Sequence, residues 1–246
     1  MKRLIHSTLG KLGFRLVRIQ DGPRPSEGLD PFFDLLKRLG FAPKHILDVG
    51  ANRGLWTREA IKFFPDSRYT LVEPQNHLKT YIQDLLDRGH KITWINAGAA
   101  ATPGSLPFTI ASRDGSSTFA LTEEEARQAG FLQRTIEVKT LNDISASSAA
   151  GPPDMVKIDA EGFDLCVLAG ASHLLGKTDI FLVEAAVCCG YENSVAEVIQ
   201  FMAAAGYRLL DITDLNRSPK HGVLWLTELA FLRAGCPLLG VVTSYE

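Results

Sequence analysis

The chain is poor in the features that would mark it as a disulfide scaffold, a membrane protein or a nucleic-acid binder. Its four cysteines are Cys166, Cys188, Cys189 and Cys236. None sits in a C-x-x-C pair, and adjacent Cys188-Cys189 fits no zinc-ligand spacing, so reduced thiols in a cytoplasmic protein are the simplest reading. No run of eighteen or more apolar residues occurs, and no transmembrane helix is expected. Charge of one sign is lacking too. A net charge of −2 does not provide the concentrated basic surface that phosphate backbones need, so nucleic acid is not expected as the main partner. Internal repeats and low-complexity stretches are missing. What remains is 246 residues, 46% of them hydrophobic, enough for one large α/β domain with a buried core.

The most informative stretch is His45-Ile-Leu-Asp-Val-Gly-Ala-Asn-Arg-Gly54. Ile46, Leu47 and Val49 are strand formers, and Gly50 and Gly54 open a turn into a helical run, Leu55 to Phe64. Tyr69-Thr-Leu-Val-Glu-Pro74 then reads as a second strand that stops at Glu73. A glycine turn after one strand and a carboxylate after the next, roughly 20 residues on, is an arrangement that holds an adenosine ribose by its hydroxyls. A dinucleotide fold wants G-x-G-x-x-G, so that bare backbone approaches the pyrophosphate. Counted from Gly50, those glycines would fall at Asn52 and Leu55. The turn instead suits a cofactor without phosphate, whose charges are a carboxylate and an ammonium. S-adenosylmethionine has both. The plainer alternative is that Gly50 and Gly54 only permit a tight strand–helix turn.

Around this unit the pattern alternates. Pro31 to Leu39 reads as a helix with Phe32, Leu35, Leu36 and Leu39 on one face. Helix Leu78 to Leu86 leads to strand Ile92 to Ile95. Leu106 to Ile110 and Thr135 to Val138 suggest a hairpin-like insertion, with the turn Asp114-Gly-Ser-Ser-Thr118 and a short helix, Glu123 to Gln128, between them. Met155 to Asp159 and Ile180 to Glu184 are further central strands. Helix Ser194 to Ala204 precedes strands Tyr207 to Ile212 and Leu229 to Arg233. Strands alternating with helices imply a mainly parallel sheet with helices on both faces. The last two strands are joined without a clear helix, which predicts an antiparallel edge pair.

Residues 1–40 are different in kind, and the main domain is expected over 41–246. Between Met1 and Gln20 there are five Lys or Arg and no acid, and Ile5, Leu9, Leu12 and Leu16 recur at helical spacing. Such a basic amphipathic helix, Lys2 to Arg18, can lie peripherally on the inner membrane surface or pack on the domain with its charges in water.

Asp48-Val-Gly-Ala-Asn-Arg-Gly54, Glu73-Pro74, Thr140-Leu-Asn-Asp143 and Lys157-Ile-Asp-Ala-Glu-Gly162 with Val167-Leu-Ala-Gly170 together resemble the FkbM family of S-adenosylmethionine-dependent methyltransferases. The resemblance runs from about His45 to Arg233. The glycine motif marks only the broad methyltransferase fold, whereas the Lys-Ile-Asp-x-Glu-Gly segment is much more specific. Asn142 departs from the second Asp that is common after Thr-Leu in the family. The resemblance implies a Rossmann-like, seven-stranded, mostly parallel sheet. It also implies O-methylation of a hydroxyl on a sugar, glycan or polyketide-type metabolite.

That chemistry needs aligned donor and acceptor and a base for a poorly nucleophilic hydroxyl. The cleft is expected at the carboxyl ends of the strands. The residues expected to bind cofactor are Asp48, Gly50, Asn52, Gly54, Glu73, Asn96, Ser117 and Asp159. Asp159, Glu161 and Glu184 are the candidate catalytic carboxylates, with Asp143 and His173 nearby in sequence. Asp159 and Glu161 could instead cap the helix near Phe163 or pair with Lys157. Asp159 and Glu184 could also hold Mg²⁺, though nothing in the sequence requires a metal. Two other functions are open: an NAD-type oxidoreductase on a similar fold, and a cofactor-binding module without catalysis.

Overall fold

A computed structural model describes residues 28–240, 242 and 244 of the chain; the basic segment Lys2–Arg18 lies outside the described residues. Helix α1 (Leu29–Arg38) leads to β1 (His45–Val49), α2 (Leu55–Phe63) and β2 (Arg68–Val72). A 3₁₀ segment, Asn76–Ile82, runs into α3 (Gln83–Asp87), followed by β3 (Ile92–Ile95), β4 (Gly98–Ala99) and β5 (Gly104–Ile110). Then come α4 (Glu123–Gln128), β6 (Leu132–Lys139), α5 (Leu141–Ser147) and β7 (Met155–Ile158). The chain continues through α6 (Asp164–Ala169), β8 (Ile180–Ala186), α7 (Val195–Ala204), β9 (Tyr207–Arg217) and β10 (Leu224–Arg233).

Seven strands form the main sheet in the order β3-β2-β1-β7-β8-β10-β9. All run parallel except β10, which pairs antiparallel with both β8 and β9. The sheet is therefore the expected mostly parallel one with an antiparallel pair at one edge, β9 outermost and β10 the reversed strand inside it. Every residue of β1 and of β7 is buried, as expected of strands with helices on both faces. The insertion is a hairpin, β5 against β6, and short β4 joins it to make a separate three-stranded sheet.

Two apolar clusters sandwich the main sheet. On one face α1 buries Phe32, Phe33 and Leu36 completely, and Phe33 meets Trp56 edge-on with centroids 5.4 Å apart. On the other face Val167 and Leu168 of α6 and Val198 and Met202 of α7 cover Val156, Ile158, Phe181 and Val183. The Ser194 side chain caps α7 and Glu197 closes the capping box. Among the described residues no helix is long and apolar enough to cross a membrane.

The expected helix Leu78 to Leu86 is mostly 3₁₀ instead. Thr80 and Tyr81 are weak helix formers, and the Thr80 hydroxyl donates to the His77 carbonyl at 2.9 Å, which competes with an α-turn. The short helix α5, unassigned in the sequence, is set by a local signal: Thr140 caps it by accepting from the Asp143 N–H.

Candidate active site

The turn after β1 carries the first half of the site. Gly50 has φ +73° and donates to the Val72 carbonyl at 2.9 Å. A Cβ at this position would lie 1.8 Å from the Asp159 carbonyl oxygen, so only glycine lets the first turn pass the end of β7. Asn52 is also left-handed, at φ +47°. Its N–H donates to Glu73 Oε2 at 2.9 Å, while the Gln75 N–H donates to Glu73 Oε1 at 2.9 Å. Glu73 thereby ties the β1 turn to the end of β2. Burial pushes its pKa up, against the pull of these two N–H groups. Oε2 has a second lone pair free, and on Oε1 the second lone pair meets only the long 3.4 Å contact from the Gln75 side-chain amide, so both oxygens can accept from a ligand in the cavity that Glu73 lines.

That cavity measures about 1120 Å³ and lies at the carboxyl ends of β1, β2, β7 and β8. Of the residues expected to bind cofactor, Gly50, Asn52, Glu73, Ser117 and Asp159 line it together. Asp48, Gly54 and Asn96 do not. Asp48 is fully buried behind the turn, where the Thr57 hydroxyl donates to it at 2.5 Å and Lys157 stands 3.6 Å away. The Asn96 amide donates to the carbonyls of Glu73 and Pro74 and so clamps the loop from outside. Gly54 is the left-handed residue that starts α2. Trp94, on β3, packs on the core; Trp56 both packs there and lines the cavity.

Asp159, Glu161 and Glu184 all face the cavity. Lys157, buried beneath them, puts Nζ 3.1 Å from Asp159 Oδ2 and 3.4 Å from the Gly50 carbonyl. Burial favours loss of its proton, but Asp159, Asp48 and Glu228 outweigh burial and hold it charged. Glu161 sits in the left-handed region at φ +50°, a strained conformation for a residue with a side chain. Burial, then Asp159 and Asp164, push its carboxyl up to about 8. Neither Asp159 nor Glu161 caps α6, which has no side-chain cap; Asp164, its first residue, instead braces the preceding loop by accepting from the N–H groups of Ala160 and Gly162 and from the Asn193 amide. Burial lifts Asp164 to about 7. Glu184 is raised well above the ordinary range, by burial first and then by Asp159, Glu161 and Asp164, and its Oε2 has no hydrogen-bond partner.

Several site residues were not legible in advance. Glu228 and Asp214 line the cavity from β10 and β9. A lone acid inside the apolar run Leu226-Thr-Glu-Leu-Ala-Phe231 was the available signal for Glu228. Asp143, in the first turn of α5, and His173, in the turn after α6, do not line the cavity, and His221 is exposed in the β9–β10 turn. Among the described residues no three His, Cys, Asp or Glu side chains are grouped to hold a metal ion.

The sequence model of the FkbM methyltransferase domain matches residues 48–209, about two thirds of the chain. The chain belongs to this family of S-adenosylmethionine-dependent methyltransferases, which disposes of the oxidoreductase alternative. No curated protein matches it. Among solved structures it is similar to magnesium protoporphyrin IX methyltransferase of Synechocystis PCC 6803, solved with bound S-adenosylmethionine, at 12% identity and TM-score 0.49 over 95% of this chain and 97% of that one. It is also similar to 1,6-didemethyltoxoflavin-N1-methyltransferase of Burkholderia thailandensis, solved with 1,6-didemethyltoxoflavin and S-adenosylhomocysteine. There the identity is 17% and the TM-score 0.46, over 85% and 79% of the two chains. Likenesses this distant carry no argument about the chemistry of this chain.

Proposed function

We propose that the protein transfers the methyl group of S-adenosylmethionine to a hydroxyl oxygen of a sugar, glycan or polyketide-type metabolite. The observation that carries this reading is that Glu73 and Asp159 line one cavity at the ends of β2 and β7, the two strands that flank β1. The distance between those strands suits a ribose at one end of a cofactor and a reacting group at the other.

The cofactor's sulfonium supplies an already activated methyl group. Glu73 accepts from the two ribose hydroxyls, and the backbone of Gly50 to Asn52 gives the methionine portion room beside the turn. Asp159 orients the acceptor hydroxyl and takes its proton as the new O–C bond forms and the C–S bond breaks. Lys157 holds Asp159 in place through its 3.1 Å contact.

Calorimetry with S-adenosylmethionine, S-adenosylhomocysteine and NAD tests the cofactor, and radiolabelled methyl transfer into cell extracts tests turnover and reveals the acceptor. Binding without transfer to any fraction would support the non-catalytic module instead. The basic segment Lys2–Arg18 supports a separate reading, peripheral contact with an anionic membrane. Co-sedimentation with anionic vesicles that weakens with salt is the expected result, and equal recovery in the supernatant with and without vesicles would exclude it.

A further inference from the structure

The cavity is charged unevenly. Glu184 on β8 and Glu228 on β10 are register partners, and Glu228 is in turn the partner of Asp214 on β9. Asp159 follows the pair Ile158–Val183 and so extends the same row onto β7. Residues opposite one another on neighbouring strands point to the same face, so these four carboxylates form a line across the sheet, and all four line the cavity. At a strand spacing of about 4.8 Å the line is roughly 14 Å long.

Like charges directly opposite destabilise a sheet, so the row is kept at a cost. Its protein donors do not balance it. Of the four acids Lys157 bonds to Asp159 and shares its charge with Asp48 behind the turn, Thr213 donates to Glu228, and Asp214 accepts from the Leu215 N–H. Arg113, the other cation facing this end, lines the cavity near Glu161. Arg53 and Arg58 at the rim are occupied by Asp114 and Asp84. Buried Glu184 Oε2 is left with no donor at all. A row this extended is too spread for one metal ion, whose oxygen ligands stand about 2.0–2.6 Å away, and no three-ligand group occurs among the described residues. It matches an organic cation.

We infer that the acceptor carries a protonated amine beside the hydroxyl to be methylated, as an amino sugar does, and that Glu184, Glu228 and Asp214 bind this amine. The inference rests on reading the cavity as a methyl-transfer site, in which the cofactor occupies the Glu73 end. An acceptor with a phosphate or carboxylate would meet the same row as a repulsive wall. Burial first, and then the neighbouring carboxylates, raise the pKa values of Glu184 and Glu228, and an ammonium among them would draw both into the ionised form. Binding is then accompanied by proton release.

The test uses the full-length protein saturated with S-adenosylhomocysteine and titrated with three probes: glucosamine, N-acetylglucosamine and glucose 6-phosphate. Glucosamine is expected to bind at least about tenfold more tightly than its N-acetylated form, a difference of about 1.4 kcal/mol. Its affinity should fall with salt and its heat should vary with the ionisation enthalpy of the buffer, while glucose 6-phosphate should not bind. Glu228→Gln and, separately, Asp214→Asn should each bring the two amino-sugar affinities together; either variant that stays folded by circular dichroism suffices. Equal or tighter binding of N-acetylglucosamine or glucose 6-phosphate overturns the inference, as does no glucosamine binding at about 20 mM. Failure to bind S-adenosylhomocysteine is measured first and would instead overturn the cofactor reading.

Discussion

Glu73 and Asn52 join the ends of β1 and β2 at one side of the cavity: the Asn52 N–H, on a left-handed residue of the β1 turn, donates to Glu73 Oε2 at 2.9 Å. A carboxylate at the end of β2 is thus both a brace for the turn and a surface of the cavity. Changes at this residue therefore bear on the turn geometry as well as on the cavity surface.

Glu73→Ala is expected to weaken S-adenosylmethionine by about 2–4 kcal/mol, through loss of a charged acceptor in a desolvated site. Calorimetry reads this directly. An affinity within twofold of the wild type would remove Glu73 from the cofactor's partners.

Gly50→Ala should cost about 2–4 kcal/mol of folding stability, because the new Cβ meets the Asp159 carbonyl and the left-handed backbone strains any side chain. The urea midpoint should fall, and what folded protein remains should bind cofactor poorly. A midpoint like that of the wild type would mean the turn can move away from β7.

Asp159→Asn keeps the size and removes the charge. Cofactor affinity should survive while turnover drops about 10²–10⁴-fold on an identified acceptor. Glu161→Gln should do less if Glu161 only supports Asp159, and as much if the two share the proton. Near-normal turnover of Asp159→Asn would move the base elsewhere, with Glu161 tried next.

Glu228 gives a pH-dependent stability. Burial lifts its carboxyl from the ordinary 4.5 to about 7, so the folded state holds its proton more tightly than the unfolded chain. The associated stability is complete below about pH 4.5 and is lost as pH rises through about 7. Glu228→Gln, neutral throughout, should match the wild type at pH 5 and exceed it at pH 8 by on the order of 1–2 kcal/mol, the residue being partly open to the cavity. Thermal melts at the two pH values check this, and a constant difference would mean that Glu228 titrates normally in the fold.

The sequence by itself determined the elements whose causes are local. Strand β1 and its glycine turn, Glu73 after β2, strand β3 and helix α4 depend on side-chain preference, turn chemistry and capping within a few residues. The family followed from Lys157-Ile-Asp-Ala-Glu-Gly162 for the same reason: a short order of residues is legible without a fold. Tertiary structure alone decided which carboxylates meet. Asp48, though in the motif, is turned into the core against Thr57 and Lys157, and Asn96 clamps a loop instead of lining the cavity. Glu228 and Asp214 come from strands far along the chain and join Glu184 only because β10 pairs with β8 and β9 pairs with β10, with a register shift just past Glu228. A slip of one residue would turn each of them to the opposite face, and that register is set by the burial of Ala230 and Leu232 against the core, not by any motif around the acids.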